Sequence, residues 1–379
     1  MTDFAPLTVL SLMSGTSADG IDAVLAQFEW KNGQLSWEVQ GRSSTNYPDS
    51  LRQRILACMK PESSSIVLTT QVHTEVGLAY ARVVKTMQES YAFDLVALSG
   101  QTVYHIPRLD PAMNWQTVST LQLGEAAIVA EHCHLTVVSD FRQSDMAAGG
   151  QGAPMVPFGD FMMFSEPGKA KAIHNLGGIS NLTYLPASGK REDVVAFDTG
   201  PANCLIDEAV KRDFGLEYDA NGELASLGKV DDSLLAELMQ HPYLSLGIPK
   251  TTGREVFTLS EIEKHYTLKS LSPHDLIATL TAFSAQSIAK AYQDFVLGKG
   301  LDEIVLAGGG ALNPTLISML KKSLNVPIKT FEALGYNSKD REALAFGIMA
   351  YFAFHGAANT LPSATGAKRA VSAGKISQV

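Results

Sequence analysis

Leu7–Met13 is a short apolar run of strand-forming residues that stops at the small, polar series Ser14-Gly15-Thr16-Ser17-Ala18-Asp19-Gly20. Apolar residues alternate again over Ile21–Phe28, and a third such stretch covers Leu35–Thr45. Strand, turn and strand predict a β-hairpin, extended here by one more strand. Pro48–Met59 and Val67–Tyr91 carry apolar residues at helical spacing and predict helices. Leu95–Ser99 and Leu135–Ser139 read as buried strands, with a helix between them that begins near Gly124-Glu125.

The theme then repeats. Ala172–Asn175 and Asn181–Leu185 flank Leu176-Gly177-Gly178-Ile179-Ser180, a second strand, turn and strand. Val194–Phe197 predicts a strand that stops at Asp198-Thr199-Gly200-Pro201, with a helix from about Ala202 to Arg212. Pro273–Phe295 is a long amphipathic helix, and Ile304–Ala307 a strand ending at Gly308-Gly309-Gly310. Asn313–Leu324 and Ser338–Phe354 complete the helices, with Pro314 suited to a first turn. Two regions each open on a hairpin whose turn is built of small residues, a weak internal repeat in an α/β chain. The tail beyond Pro362 is small, polar and basic, and is expected to be loosely held.

A chain of 379 residues is too long for one compact core and suits two domains. With 45% hydrophobic and 18% charged residues it can bury cores of ordinary size. The net charge of −9 argues against nucleic-acid binding, which needs a basic face to displace counterions. It does not argue against a nucleotide, because backbone amides hold phosphates inside acidic proteins. Cys58, Cys133 and Cys204 are few, odd in number and far apart, as in a reducing compartment. The N-terminus reads as a strand rather than a signal peptide, and no apolar run reaches the roughly 18 residues of a membrane span. A cytoplasmic protein without membrane contact is expected.

Four motifs remain once the strands and helices are assigned. In Ser14–Gly20, small residues let a phosphate approach backbone amides, and Asp19 offers a carboxylate for a hydrated magnesium; an ordinary hairpin turn is the plainer reading. Asp198 precedes small residues and a helix, where α/β folds place ligands; a helix cap is the alternative. Gly308-Gly309-Gly310 leaves room for a flat ring or a phosphate, or simply makes a tight turn. Arg142, in Asp140-Phe141-Arg142-Gln143-Ser144-Asp145, offers a planar fork for a carboxylate, unless it pairs with Asp140 or Asp145. Cys204 has no evident base and reads as a packed thiol.

Their order is informative. Met13-Ser14-Gly15-Thr16-Ser17, Gly100-Gln101-Thr102, Asp140-Phe141-Arg142 and Gly149-Gly150-Gln151-Gly152-Ala153-Pro154 are followed by Asn175-Leu176-Gly177-Gly178-Ile179-Ser180-Asn181 and Phe197-Asp198-Thr199-Gly200-Pro201. Pro249-Lys250-Thr251-Thr252-Gly253-Arg254-Glu255, Gly308-Gly309-Gly310, Glu342-Ala343-Leu344-Ala345-Phe346 and Leu361-Pro362-Ser363-Ala364-Thr365-Gly366-Ala367 close the series. From near the first residue to near the last, the sequence resembles the anhydro-N-acetylmuramic acid kinase family. The resemblance implies an actin-like sugar kinase fold of two RNase H-like domains around a cleft. The first would span residues 1–140 with the tail 363–379, the second 141–362.

The resemblance further implies that ATP and magnesium are used to phosphorylate O6 of 1,6-anhydro-N-acetylmuramic acid while water opens the anhydro bridge. The products would be N-acetylmuramic acid 6-phosphate and ADP, in recycling of cell-wall sugar. Carried over by position, Asp198 is the catalytic carboxylate. Gly15, Thr16, Ser17, Ala18, Asp19, Gly20, Ile21 and Asp22 form the first phosphate loop, and Asp19 contacts magnesium through water. Gly308, Gly309 and Gly310 lie on the adenosine side, and Thr102, Arg142 and Glu342 near the sugar. The implied partners are the anhydrosugar, ATP and a second copy in a homodimer. Ser99 stands where the family usually has His before Gly-Gln-Thr, and Phe158-Gly159-Asp160 also departs from the common pattern. Two rival readings are a kinase for another anhydrosugar such as levoglucosan, and a non-catalytic nucleotide-binding regulator.

Overall fold

The computed structural model describes residues 2–265 and 271–379. It divides into two compact units. One comprises the chain through Met163 together with Asp340–Val379, the other Phe164–Lys339.

In the first unit, β1 (Leu7–Met13), β2 (Gly20–Lys31) and β3 (Gln34–Asn46) form an antiparallel meander. β4 (Leu95–Leu98) lies parallel to β1. A hairpin of β5 (Gln101–Ile106) and β6 (Ser119–Leu123) stands apart, and β7 (Thr136–Ser139) lies parallel to β4. The sheet runs β3-β2-β1-β4-β7, and Lys375–Ser377 adds a final antiparallel strand beside β7. In the second unit, β8 (Lys171–Leu176), β9 (Ile179–Leu185) and β10 (Val195–Pro201) form another meander. β11 (Glu303–Ala307) and β12 (Ile328–Thr330) continue it in parallel, giving β10-β9-β8-β11-β12. Both sheets share one order and one pattern of strand directions, three antiparallel then two parallel. That is the RNase H-like arrangement, found twice. The weak repeat in the sequence is therefore a repeat of topology.

The central strand β4 is apolar and buried along its whole length because helices cover both faces of its sheet, and β11 is buried throughout, apolar after Glu303. In the first unit, helix Ile66–Gln88 packs its buried face, Val72, Val76, Tyr80 and Val84, against Leu10, Leu12 and Leu98. Helix Arg341–Phe354 covers the opposite face. Its Gly347 lies so near that an added Cβ would meet Ser11 Oγ at 2.5 Å and the Phe28 ring at 3.1 Å. In the second unit, helix Pro273–Phe295 supplies buried residues to both apolar clusters.

Residues 141–163 and 340–362, expected in the second domain, belong to the first unit. Two contacts tie these segments to each other, and Gly347 packs the second segment against β1 and β2. The Arg341 guanidinium donates Nε to Asp160 Oδ1 at 2.8 Å, both side chains buried. Gly159 abuts Ala345, whose Cα would lie 2.5 Å from any Cβ. The tail is also more firmly held than its composition predicts. Asn359 donates to the Met349 and Ala373 carbonyls and accepts from Ala373 N–H, fixing Ala373 in the core. Asp198 does not follow the end of its strand, either. β10 continues through it to Pro201, with a register shift between Asp198 and Gly200. Among the described residues, no helix is long and apolar enough to cross a membrane.

Candidate active site

The turn between β1 and β2 is held from below. Ser14 Oγ lies 2.9 Å from Tyr47 Oη and accepts from Tyr80 Oη at 3.1 Å. Gln101 Nε2 donates to the Gly15 carbonyl at 2.9 Å, and Ala18 N–H closes the turn onto the same oxygen. The N–H groups of Gly15, Thr16 and Ser17 find no acceptor among the described residues, and all three residues are exposed. A Cβ on Gly15 would meet only Ser17 Oγ, at 3.8 Å. Free amides on an open, fixed turn suit an anion. Asp19 is exposed and ion-paired with Arg52 at 3.0 Å, while Asp22 accepts from Ser44 Oγ. Gly20 and Ile21 already belong to β2.

In the second unit, Asp198 lies on β10 beside the equivalent turn, Gly177-Gly178. Its Oδ2 accepts from Thr252 N–H at 2.8 Å, and its own N–H donates to the Lys250 carbonyl at 3.1 Å. Tyr243 Oη donates to the Asp198 carbonyl at 2.7 Å. Oδ1 has no partner among the described residues, so one lone-pair face stays free. Burial raises the carboxyl to about 6 from an ordinary 3.8, against the opposing pull of Thr252 N–H and the Lys250 charge. Such a group is a base near neutrality. It does not cap the following helix Cys204–Phe214, whose cap position is Asn203. Asn203 instead donates Nδ2 to the Leu176 and Gly177 carbonyls, bracing the turn.

The glycine run after β11 serves two purposes. Gly308 has φ +82°, and a Cβ there would meet Asn175 Oδ1 at 2.6 Å and the Leu176 carbonyl at 2.9 Å. Gly310 packs on Leu176 and Asn203. Gly309 alone of the three faces open space and is exposed.

Back in the first unit, Arg142 forms no ion pair with Asp140 or Asp145. Asp140 pairs with Lys375, and Asp145 accepts from Gly152 N–H and Thr365 Oγ1. Arg142 donates Nη1 to the Gly152 carbonyl at 2.7 Å, and its buried Nε has no partner. Burial lowers its affinity for the proton, and Glu342 opposes that effect. Nearby, Gln122 Nε2 donates to Thr120 Oγ1 at 2.7 Å and to Thr102 Oγ1 at 3.3 Å, while its Oε1 is buried and unpartnered. His105 Nδ1 lies 3.0 Å from Thr120 Oγ1 and its Nε2 is also buried and unpartnered; burial and the Arg142 charge lower it to about 4, so it is neutral. The structure thus brings Arg142 and Glu342 into electrostatic contact. It places Thr102 in the hydrogen-bond network that reaches His105, near Arg142.

Sequence reasoning assigned no role to Gly177, Gly178, Lys250 or Thr252. The Pro249–Glu255 motif was visible, but nothing in it shows that it crosses under Asp198. Cys204 is buried, and burial pushes its thiol up to about 12, as befits packing rather than catalysis.

The sequence matches the family described as anhydro-N-acetylmuramic acid kinase over residues 7–378. A protein of that name from Caldanaerobacter subterraneus subsp. tengcongensis is 39% identical over 381 residues, covering 97% of this chain and 96% of the relative. Its namesake from Bacillus cereus is 39% identical over 380 residues, covering 97% and 98%. Among solved structures, a ROK family glucokinase from Streptomyces griseus in complex with glucose and AMPPNP aligns with 90% of this chain and 99% of its own. Its TM-score is 0.39 and its identity 11%, and the fold assignment rests on the strand orders instead. The chain belongs to the anhydro-N-acetylmuramic acid kinase family and is a kinase.

Proposed function

We propose that this kinase uses ATP to phosphorylate O6 of 1,6-anhydro-N-acetylmuramic acid, with Asp198 as the base that activates the water opening the anhydro bridge. The observation that carries this reading is Asp198 itself. One oxygen is fixed by Thr252 N–H, the other is free, and burial raises the carboxyl to about 6. Water loses its proton to Asp198 as its oxygen bonds to the anomeric carbon. The bond from that carbon to O6 breaks, and its electron pair stays on O6. O6 then attacks the γ-phosphorus and ADP leaves. N-acetylmuramic acid 6-phosphate is the product, and its formation belongs to the reuse of cell-wall sugar.

The free amides of Gly15, Thr16 and Ser17 fit phosphate oxygens, with Ala18, Gly20, Ile21 and Asp22 shaping the loop. Gly309 fits a flat adenosine ring, and Gly308 and Gly310 hold it in place. The described residues contain no cluster of three metal-binding side chains. Asp19 therefore fits only a contact through water, and magnesium arriving with the nucleotide would neutralise phosphate charge. Arg142 has a buried, unpartnered Nε, which favours a substrate bearing an anionic substituent over levoglucosan. Thr102 and Glu342 complete that recognition set.

The test is mass spectrometry of the product formed in water enriched in heavy oxygen, with wild type and Asp198→Asn. The wild-type product should carry heavy oxygen at the anomeric carbon and phosphate on O6. The variant should bind both substrates within a few-fold and turn over roughly 10²-fold slower or worse, as for loss of a general base. Near wild-type turnover by the variant, or no label in the product, would falsify the coupled mechanism.

A further inference from the structure

We propose that Lys250 is the positioning residue that keeps Asp198 ionised, a buried ammonium seated on two aromatic faces and tied by its own backbone to the base. The inference rests on the reading of Asp198 as a general base.

Lys250 is only 3% exposed, and a lysine that deep is normally paired. Among the described residues it has no ion pair. The nearby carboxylate of Asp294 is already taken by Lys290 at 2.8 Å, both on helix Pro273–Phe295. The ammonium instead lies 4.9 Å from the centre of the Tyr243 ring and 5.3 Å from that of Phe295. Aromatic faces attract a desolvated cation, and two of them offset part of its burial. The same Tyr243 donates its hydroxyl to the Asp198 carbonyl, and the Lys250 carbonyl receives the Asp198 N–H. Two residues on, Thr252 N–H holds the carboxylate. One short segment thus grips the base from backbone to side chain, and its lysine ammonium shares Tyr243 with the base.

The charged groups acting on Lys250 are Asp294, Lys290 and Asp198; among the described residues, Lys250 is the one charged side chain acting on Asp198. Burial lowers Lys250, and burial raises Asp198. Burial alone disfavours the charged form of each. Their opposite charges act against this, each favouring the charged form of the other. A base must be ionised to accept a proton, so the pair keeps Asp198 working on the acid side of neutrality.

The experiment is the pH profile of kcat/KM, which reports the free enzyme, for wild type, Lys250→Met, Lys250→Arg and Asp198→Asn. In Lys250→Met the acidic limb should move up by about one pH unit, a roughly fivefold loss near pH 6 that approaches about tenfold at lower pH and fades toward pH 8. Lys250→Arg should restore the limb. Carboxyl carbon NMR of the free protein should show the Asp198 titration moving the same way. A limb that stays in place in Lys250→Met, or a deficit equal at all pH values, overturns the proposal while leaving the base intact. Near wild-type activity in Asp198→Asn instead overturns the base. If Lys250→Met does not fold, the wild type still decides: an Nζ resonance showing Lys250 neutral between pH 6 and 8 refutes the pairing.

Discussion

The loop after β1 and the glycine run after β11 are written in the same small residues, yet they are built for opposite ends. In the first unit, Gly15 stands in open space with the free amides of Gly15, Thr16 and Ser17 around it, on a turn anchored from below by Ser14 and at its side by Arg52. In the second, Gly308 and Gly310 are bare because the neighbouring β8 and Asn203 press against them. One glycine leaves the chain open, and the others let the chain close on itself. Only Gly309 in the second run resembles Gly15. A small residue therefore signals close approach, and the folded context decides what approaches.

The largest effect should come from a methyl group at the closed position. Gly308→Ala must adopt φ +82° and displace the Leu176 carbonyl, so it should lose about 2–3 kcal/mol of stability in urea unfolding. Gly15→Ala and Gly309→Ala should stay within about 0.5 kcal/mol of wild type. Equal losses at Gly15 and Gly308 would erase the distinction. Gly15→Val extends the contrast: it should melt like wild type yet bind ATP about tenfold more weakly in calorimetric titration, the cost of one or two lost amide contacts. Unchanged nucleotide affinity in the folded variant would move the phosphate elsewhere.

Asp198 supplies the next test. Its folded value is raised to about 6 above an ordinary 3.8, so the folded state binds the proton more tightly than the unfolded chain. Stability from this group is greatest below about pH 4 and falls as pH rises to about 6. Asp198→Asn removes the buried charge, and should be more stable than wild type by roughly 1–3 kcal/mol near pH 7.5, with the gap closing by about pH 4. Thermal unfolding at the two pH values reads it directly. A variant less stable at both would mean that its hydrogen bonds outweigh its charge. The smallest effect belongs to Thr252, whose hydroxyl is buried without a partner. Thr252→Val should leave stability within about 1 kcal/mol, because no bond inside the protein is lost. A few-fold fall in turnover would then show that the hydroxyl serves a ligand, and unchanged turnover that it does not.

Much of this was legible in the sequence because both meanders are short apolar runs stopped by turn residues. Leu7–Met13 and Pro273–Phe295 begin and end where the pattern says. The β5–β6 hairpin was not, since Tyr104 and His105 break the alternation and residues 107–118 separate its strands. Helix Val156–Phe164 was hidden by Pro157 and Gly159, and that glycine is explained only by Ala345 pressing on it. The site was half visible. Asp198 stands out among small residues, but its partner Thr252 is 54 positions away. Likewise, nothing local tells whether Arg142 is paired, because the answer lies with Lys375 and Thr365 taking its expected partners.

The closing strand of the first unit carries a consequence for synthesis. Residues 164–339 are made after the first meander and before the helix that covers it. The later unit holds all five strands of its sheet in one stretch and can close while still on the ribosome. The earlier one waits with the outer face of β1 and β2 bare until Arg341–Phe354 emerges, and its β7 edge stays open until Lys375–Ser377 arrives. The half made first is thus finished last, and a ribosome stalled before Arg341–Phe354 and Lys375–Ser377 emerge would hold an aggregation-prone sheet alongside a unit that is already complete.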